Sequence, residues 1–188
     1  AMGGELSRLM IEAAEDAARV FSWQRCLSWT DQATEFGVAG EELRERLRFV
    51  RARAQMSIGG QKNRDEARSE LRALVDARHV DARRCLRAWL EVFYGEKQQS
   101  ELEQMLHEIA SMKDRVWPLP WMNETLDFYD VLVQWRMEKT SGPRETIEAL
   151  NALRERLAPP PADEDAGDER YRELLLGRLE NECANTWQ

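Results

Sequence analysis

The chain predicts an all-α fold built from antiparallel helix pairs, and three observations predict it. Apolar residues recur at steps of three and four along most of its length, the spacing of one helical face. Glycines and prolines fall between these stretches, where helices must stop. Ala, Leu, Glu and Arg dominate while Val and Ile are scarce, which favours helix over sheet.

Taken in order, Glu5 to Arg19 reads as a short amphipathic helix with Leu6, Leu9, Ala13 and Ala17 on one side. A second helix runs from Ser22 to Phe36, burying Trp23, Leu27, Ala33 and Phe36 before Gly37 closes it. The third opens on Gly40-Glu41-Glu42, an acidic first turn that suits the positive end of a helix dipole. Leu43, Leu47, Val50, Ala54 and Ile58 form its stripe, and Gly59-Gly60 stops it. A fourth starts near Asn63 and carries Ala67, Leu71, Leu74 and Ala77. Asp81 is placed to cap a fifth, whose apolar face is Ala82, Leu86, Trp89, Leu90 and Phe93, with Gly95 as its stop.

Ser100 and Glu103 have the spacing of a capping box ahead of Leu102, Met105, Leu106, Ile109 and Met112. Trp117-Pro118-Leu119-Pro120 forbids an uninterrupted helix. Met122, Leu126, Tyr129, Val133 and Met137 then mark a seventh helix. Pro143 suits the first turn of an eighth, lined by Ile147, Leu150, Leu153 and Leu157. Residues 159–168 turn to Pro, Ala, Asp and Glu and read as an extended linker. Residues 169–188 form a last helix with Tyr171, Leu174, Leu175, Leu179 and Cys183 apolar, expected to cap the end of the core.

Unit starts near residues 41, 81 and 120 give a period of about 40 residues, the range of paired-helix repeats. The turn-then-helix segments Asn63-Arg64-Asp65-Glu66-Ala67 and Pro143-Arg144-Glu145-Thr146-Ile147-Glu148-Ala149-Leu150 carry a resemblance. Through them the chain resembles the tetratricopeptide-repeat-like superfamily. That resemblance implies a right-handed α-solenoid of about four antiparallel helix pairs over residues 5–158, with a C-terminal capping helix. Ala1-Met2-Gly3-Gly4 reads as a cloning remnant ahead of it.

The 188 residues are enough for a proper core, and a third of them are charged. The net charge of −8 is unevenly spread. Residues 1–95 are close to neutral and the rest are strongly acidic, which argues against nucleic-acid binding by the whole molecule. Cys26, Cys85 and Cys183 are odd in number and far apart, as buried thiols in a reducing compartment would be. With no apolar run of membrane-spanning length, the expected location is the cytoplasm. Arg- and Ala-rich usage points to a GC-rich bacterial genome.

Nothing assembles into a catalytic motif. His79 and His107 are far apart, no Cys-x-x-Cys pair is present, and Gly59-Gly60 lacks the Lys-Ser/Thr of a phosphate loop. No cofactor, metal or enzymatic activity is therefore expected. The conspicuous feature is arginine. Arg44, Arg48 and Arg51 share one face of the third helix, Arg46 and Arg53 lie on another flank, and Arg83, Arg84 and Arg87 open the fifth. The bland reading is a solvated face with intrahelical ion pairs.

In a solenoid, the first helices of successive pairs line one concave surface. Arginines stacked there suit an acidic peptide of a partner protein. Trp29 and Trp135 lie off their helices' apolar stripes and are candidates for exposed anchors beside them. The expected function is a protein–protein interaction module, an adaptor, scaffold or chaperone, with a homodimer as one form. A bacterial regulator or secretion-system component fits that reading; the alternatives are a regulatory or sensor domain of a larger bacterial protein, nucleic-acid binding by the arginine-rich half and, weakest, an all-α enzyme.

Overall fold

The computed structural model describes residues 2–77, 82–94, 99–115, 117, 119–139, 142–160 and 164–186. Among these residues the secondary structure is all-helical, in nine helices. They are α1 (Met2–Arg19), α2 (Trp23–Phe36), α3 (Glu41–Ile58), α4 (Gln61–Asp76), α5 (Ala82–Tyr94), α6 (Gln99–Lys113), α7 (Met122–Arg136), α8 (Pro143–Leu157) and α9 (Ala166–Thr186). Asp81 as a cap, Gly95 as a stop, His79, Pro118 and Trp187 lie outside the described residues. The helices form two compact units, Ala1–Val92 and Phe93–Gln188.

In the first unit α3 is the shared neighbour, packing against α1, α2 and α4. Where α1, α2 and α3 meet, half of the buried core residues are alanines. Ala14, Ala17, Ala18, Cys26, Val50 and Ala54 form one cluster, and Met10, Ile11, Ala33 and Leu47 form a second. Small residues let helix axes approach closely, so each pair gains packing without long side chains to order. This corrects the stripe expected for α1. Leu6 and Leu9 stay exposed, and the buried face is Met10, Ile11, Ala14, Ala17 and Ala18. Buried Ser7 donates to the Gly37 carbonyl at 2.6 Å, which fixes that rotation. Phe36 is likewise exposed rather than core. Between α3 and α4 the chain turns on two residues, Gly59 at φ 80° and Gly60 at φ 84°, values that a side chain would strain.

In the second unit, α6 packs on α7, α7 on α8 and α8 on α9. The expected stripes of α7 and α8 are buried throughout. α6 begins at Gln99, so Ser100 sits inside its first turn and Glu101 supplies the acidic group there. α9 begins at Ala166, ahead of the expected Glu169, because the Asp165 carboxylate accepts from the backbone N–H of Gly167 and Asp168, both at 2.8 Å. One residue earlier, Glu164 forms a buried ion pair with Arg172 at 3.0 Å, so the end of the acidic segment is tied to α9. Tyr171 bonds Thr125 at 3.0 Å, and Arg178 donates to the Tyr129 hydroxyl at 2.6 Å, tying α9 to α7. Lys113 reaches Asp127 at 2.8 Å and also pairs with Asp130, while Arg156 reaches Asp127 at 2.6 Å. Burial raises the Asp127 carboxyl, but these cations outweigh it and hold it below the usual range.

Two helices end in a left-handed residue that is not glycine. After α1, Phe21 stands at φ 57°, and after α7, Glu138 stands at φ 56°. In each the next residue's N–H closes on a carbonyl five back, Ser22 on Ala17 and Lys139 on Gln134, both at 2.9 Å. That is the Schellman arrangement, where glycine avoids a steric cost. Glu138 is exposed. Glu138→Gly should therefore stabilise the chain by about 0.5–1 kcal/mol in urea unfolding, and a loss of stability would contradict this geometry.

Candidate functional site

At 100° per residue, Arg44, Arg48 and Arg51 point to one side of α3, and Arg46 and Arg53 to the other. Each side opens onto a cleft.

The first cleft, about 790 Å³, lies along α3 and α4. Arg44, Leu47, Arg48, Arg51 and Gln55 of α3 face Asp65, Glu66, Ser69 and Glu70 of α4, with Thr34 and Val38 at one end. Sequence reading expected a basic strip, and the cleft instead carries charges of both signs. Arg48 pairs with Glu70, and Arg51 reaches Asp31 of α2 at 3.0 Å. Arg44 pairs with Glu41 within α3 at 2.8 Å. The buried Gln55 amide donates to Glu66 at 2.6 Å. Pairs this exposed contribute little stability, and they leave much of the cleft's charge facing water.

The second cleft, about 440 Å³, lies on the other side of α3. Glu15, Ala18, Arg19 and Phe21 line it from α1 and the following turn, Arg46, Phe49 and Arg53 from α3, and Arg84 and Cys85 from α5. Arg46 forks onto both oxygens of Glu15, at 3.0 and 2.8 Å. The Arg53 guanidinium lies 5.9 Å from the ring centres of both Trp23 and Phe49, and Arg84 lies 5.1 Å from Phe49. These are cation–π distances. Burial, then the charges of Arg84 and Arg87, lower the Arg53 pKa, with Glu91 opposing them.

The remaining expected site residues are dispersed. Arg83 is half-buried on α5, and Arg87 pairs with Glu91 one turn on at 3.6 Å. Trp29 is not an exposed anchor, because its ring packs against both core clusters of the first unit. Its off-stripe position arises because α2 is covered by two neighbours, α1 and α3, and so buries a wider arc than one stripe. Trp135 is half-buried on α7, in the second unit. Phe21 and Phe49 were not singled out by sequence reading. The signal for Phe21 was a helix end with no glycine, where an aromatic must take the left-handed position itself.

Among the described residues, no group of three or more His, Cys, Asp or Glu could hold a metal ion. None of the described helices is long and apolar enough to cross a membrane. Comparison with models of protein families, with curated proteins and with solved structures finds no match.

Cys26 is fully buried beside the second cleft's wall, and burial pushes its thiol up to about 11 against the pull of Arg53. At pH 8 about one such thiol in a thousand is ionised, and the thiolate is the reactive form. Iodoacetamide on the native chain should label partly exposed Cys183 first and Cys26 only after unfolding. Mass spectrometry finding early Cys26 labelling would contradict this placement.

Proposed function

We propose that this chain is a non-catalytic, helical-repeat interaction module that captures a peptide segment of a partner protein in the cleft along α3 and α4. Three features support the reading. Consecutive helices pack as neighbours from α1 to α4 and from α6 to α9, and α1 also touches α3, as the first helices of successive pairs do in a right-handed tetratricopeptide-like solenoid. The cleft is an open trough of about 790 Å³, large enough for several side chains, and this observation carries the proposal. Its wall is chemically mixed, with Leu47 and Val38 apolar between guanidinium and carboxylate groups.

That mixture shifts the partner from the plainly acidic peptide that the arginine spacing suggests. The complement is an amphipathic segment with an apolar anchor flanked by charges of both signs. Arginine forks would take its carboxylates, and Glu66 and Glu70 its basic groups. The apolar anchor supplies affinity, and the charges set register and exclude wrong partners.

Ser69 is exposed and lines the cleft. Peptides selected against the wild-type chain from a random display library should share this pattern. Their affinity, read by fluorescence polarisation, should fall at least tenfold for Ser69→Trp, which fills the trough while leaving the helical circular dichroism unchanged. Undiminished binding by that variant would place the interaction elsewhere.

A further inference from the structure

The second cleft has a different chemistry from the first. Among the described residues its deepest cation, Arg53, has no ion pair, and the contacts it makes are with the aromatic rings of Trp23 and Phe49. Arg84 stands on Phe49 as well, so two guanidinium groups share one ring. Of the two carboxylates at the cleft, Glu15 is held by the Arg46 fork and Glu45 lies one residue along α3. Like charges gathered at a partly desolvated position cost stability; Glu91 offsets part of that cost at Arg53, and a bound anion would offset more.

A second observation lies at the rim. Phe21 is 75 % exposed, occupies the left-handed region at φ 57°, and meets Trp23 edge-on with ring centres 5.9 Å apart. A large aromatic held exposed in a strained conformation, at the mouth of a cleft floored by arginines, is a contact surface waiting for an apolar group.

We propose that this cleft is a binding site for a small organic anion, with its phosphate or carboxylate head between Arg53 and Arg84 and its apolar or aromatic body against Phe21 and Phe49. Guanidinium forks recognise both head groups in a bidentate manner, and both sources share that chemistry. The volume of about 440 Å³ matches a molecule of one ring and a head group rather than a polymer. The site faces away from the α3–α4 cleft and does not depend on the peptide reading.

The test is isothermal titration calorimetry of the full chain with phenyl phosphate, benzoate and inorganic phosphate, at an ionic strength held constant with chloride. The site predicts saturable binding of phenyl phosphate or benzoate, the tighter of the two naming the head group, and at least fivefold weaker binding of inorganic phosphate. Arg53→Met should lose at least tenfold in affinity while its melting temperature without ligand equals or exceeds that of the wild type. Arg53→Lys keeps the charge and loses the fork, and should weaken binding with the fold intact. Phe21→Gly should melt higher than wild type and yet lose the preference for the aryl ligand over inorganic phosphate. Binding that is undiminished in both Arg53 variants, or no saturable binding of any of the three probes to the wild type, overturns the proposal.

Discussion

The arginines of α3 are the constraint on which the first unit depends. The helix touches α1, α2 and α4, and it sends one guanidinium to each. Arg46 forks onto Glu15 of α1, Arg51 reaches Asp31 of α2, and Arg48 meets Glu70 of α4. Beneath these ties alanines make up half of the two buried clusters, and their small faces bring the helices close but bury little area apiece. Alanine contacts of that kind specify register weakly, because one alanine resembles the next. Cross-helix charge pairs add the missing discrimination: sliding α3 by one turn would break all three at once. Their net stabilisation is modest, and their geometric information is large.

The two clefts follow from that arrangement. A helix with cations on opposite sides cannot bury both against neighbours, so grooves remain where the guanidinium stems stand between helices. Toward α4 the groove is balanced by acidic residues, which is why the proposed occupant is a mixed-charge peptide. Toward α5 the charges are predominantly basic and the walls aromatic, which suits a small anion. Arg53 separates the two cases. Its neighbours on α3 find carboxylates, whereas Arg53 rests on Trp23 and Phe49.

Much of the helical order was legible because the signals were local. The Gly59-Gly60 stop, the proline at the start of α8 and the stripes of α7 and α8 depend only on residues a few positions apart. What failed was which face a helix buries when that face is small. Leu6 and Leu9 outweigh Ala14 and Ala18 on any hydrophobic scale, yet the alanines are inside, because close approach to α2 and α3 rewards small size. The start of α9 was missed because the Asp165 side chain, unremarkable within an acidic segment, takes two backbone N–H groups. The arginine faces of α3 could be read from spacing alone. Their carboxylate partners could not, since Glu15, Asp31 and Glu70 lie 20 or more positions away in the chain and nothing local announces them.

The most direct test of α3 as the tie between its neighbours is a double-mutant cycle on Arg46 and Glu15, the bidentate pair whose side chains are each under a third exposed. Urea unfolding of the wild type, Arg46→Met, Glu15→Gln and the double variant gives the coupling free energy. The account predicts about 1 kcal/mol at low salt, shrinking as salt is added. A coupling indistinguishable from zero at low salt would contradict it and leave the alanine seams to set the register by themselves.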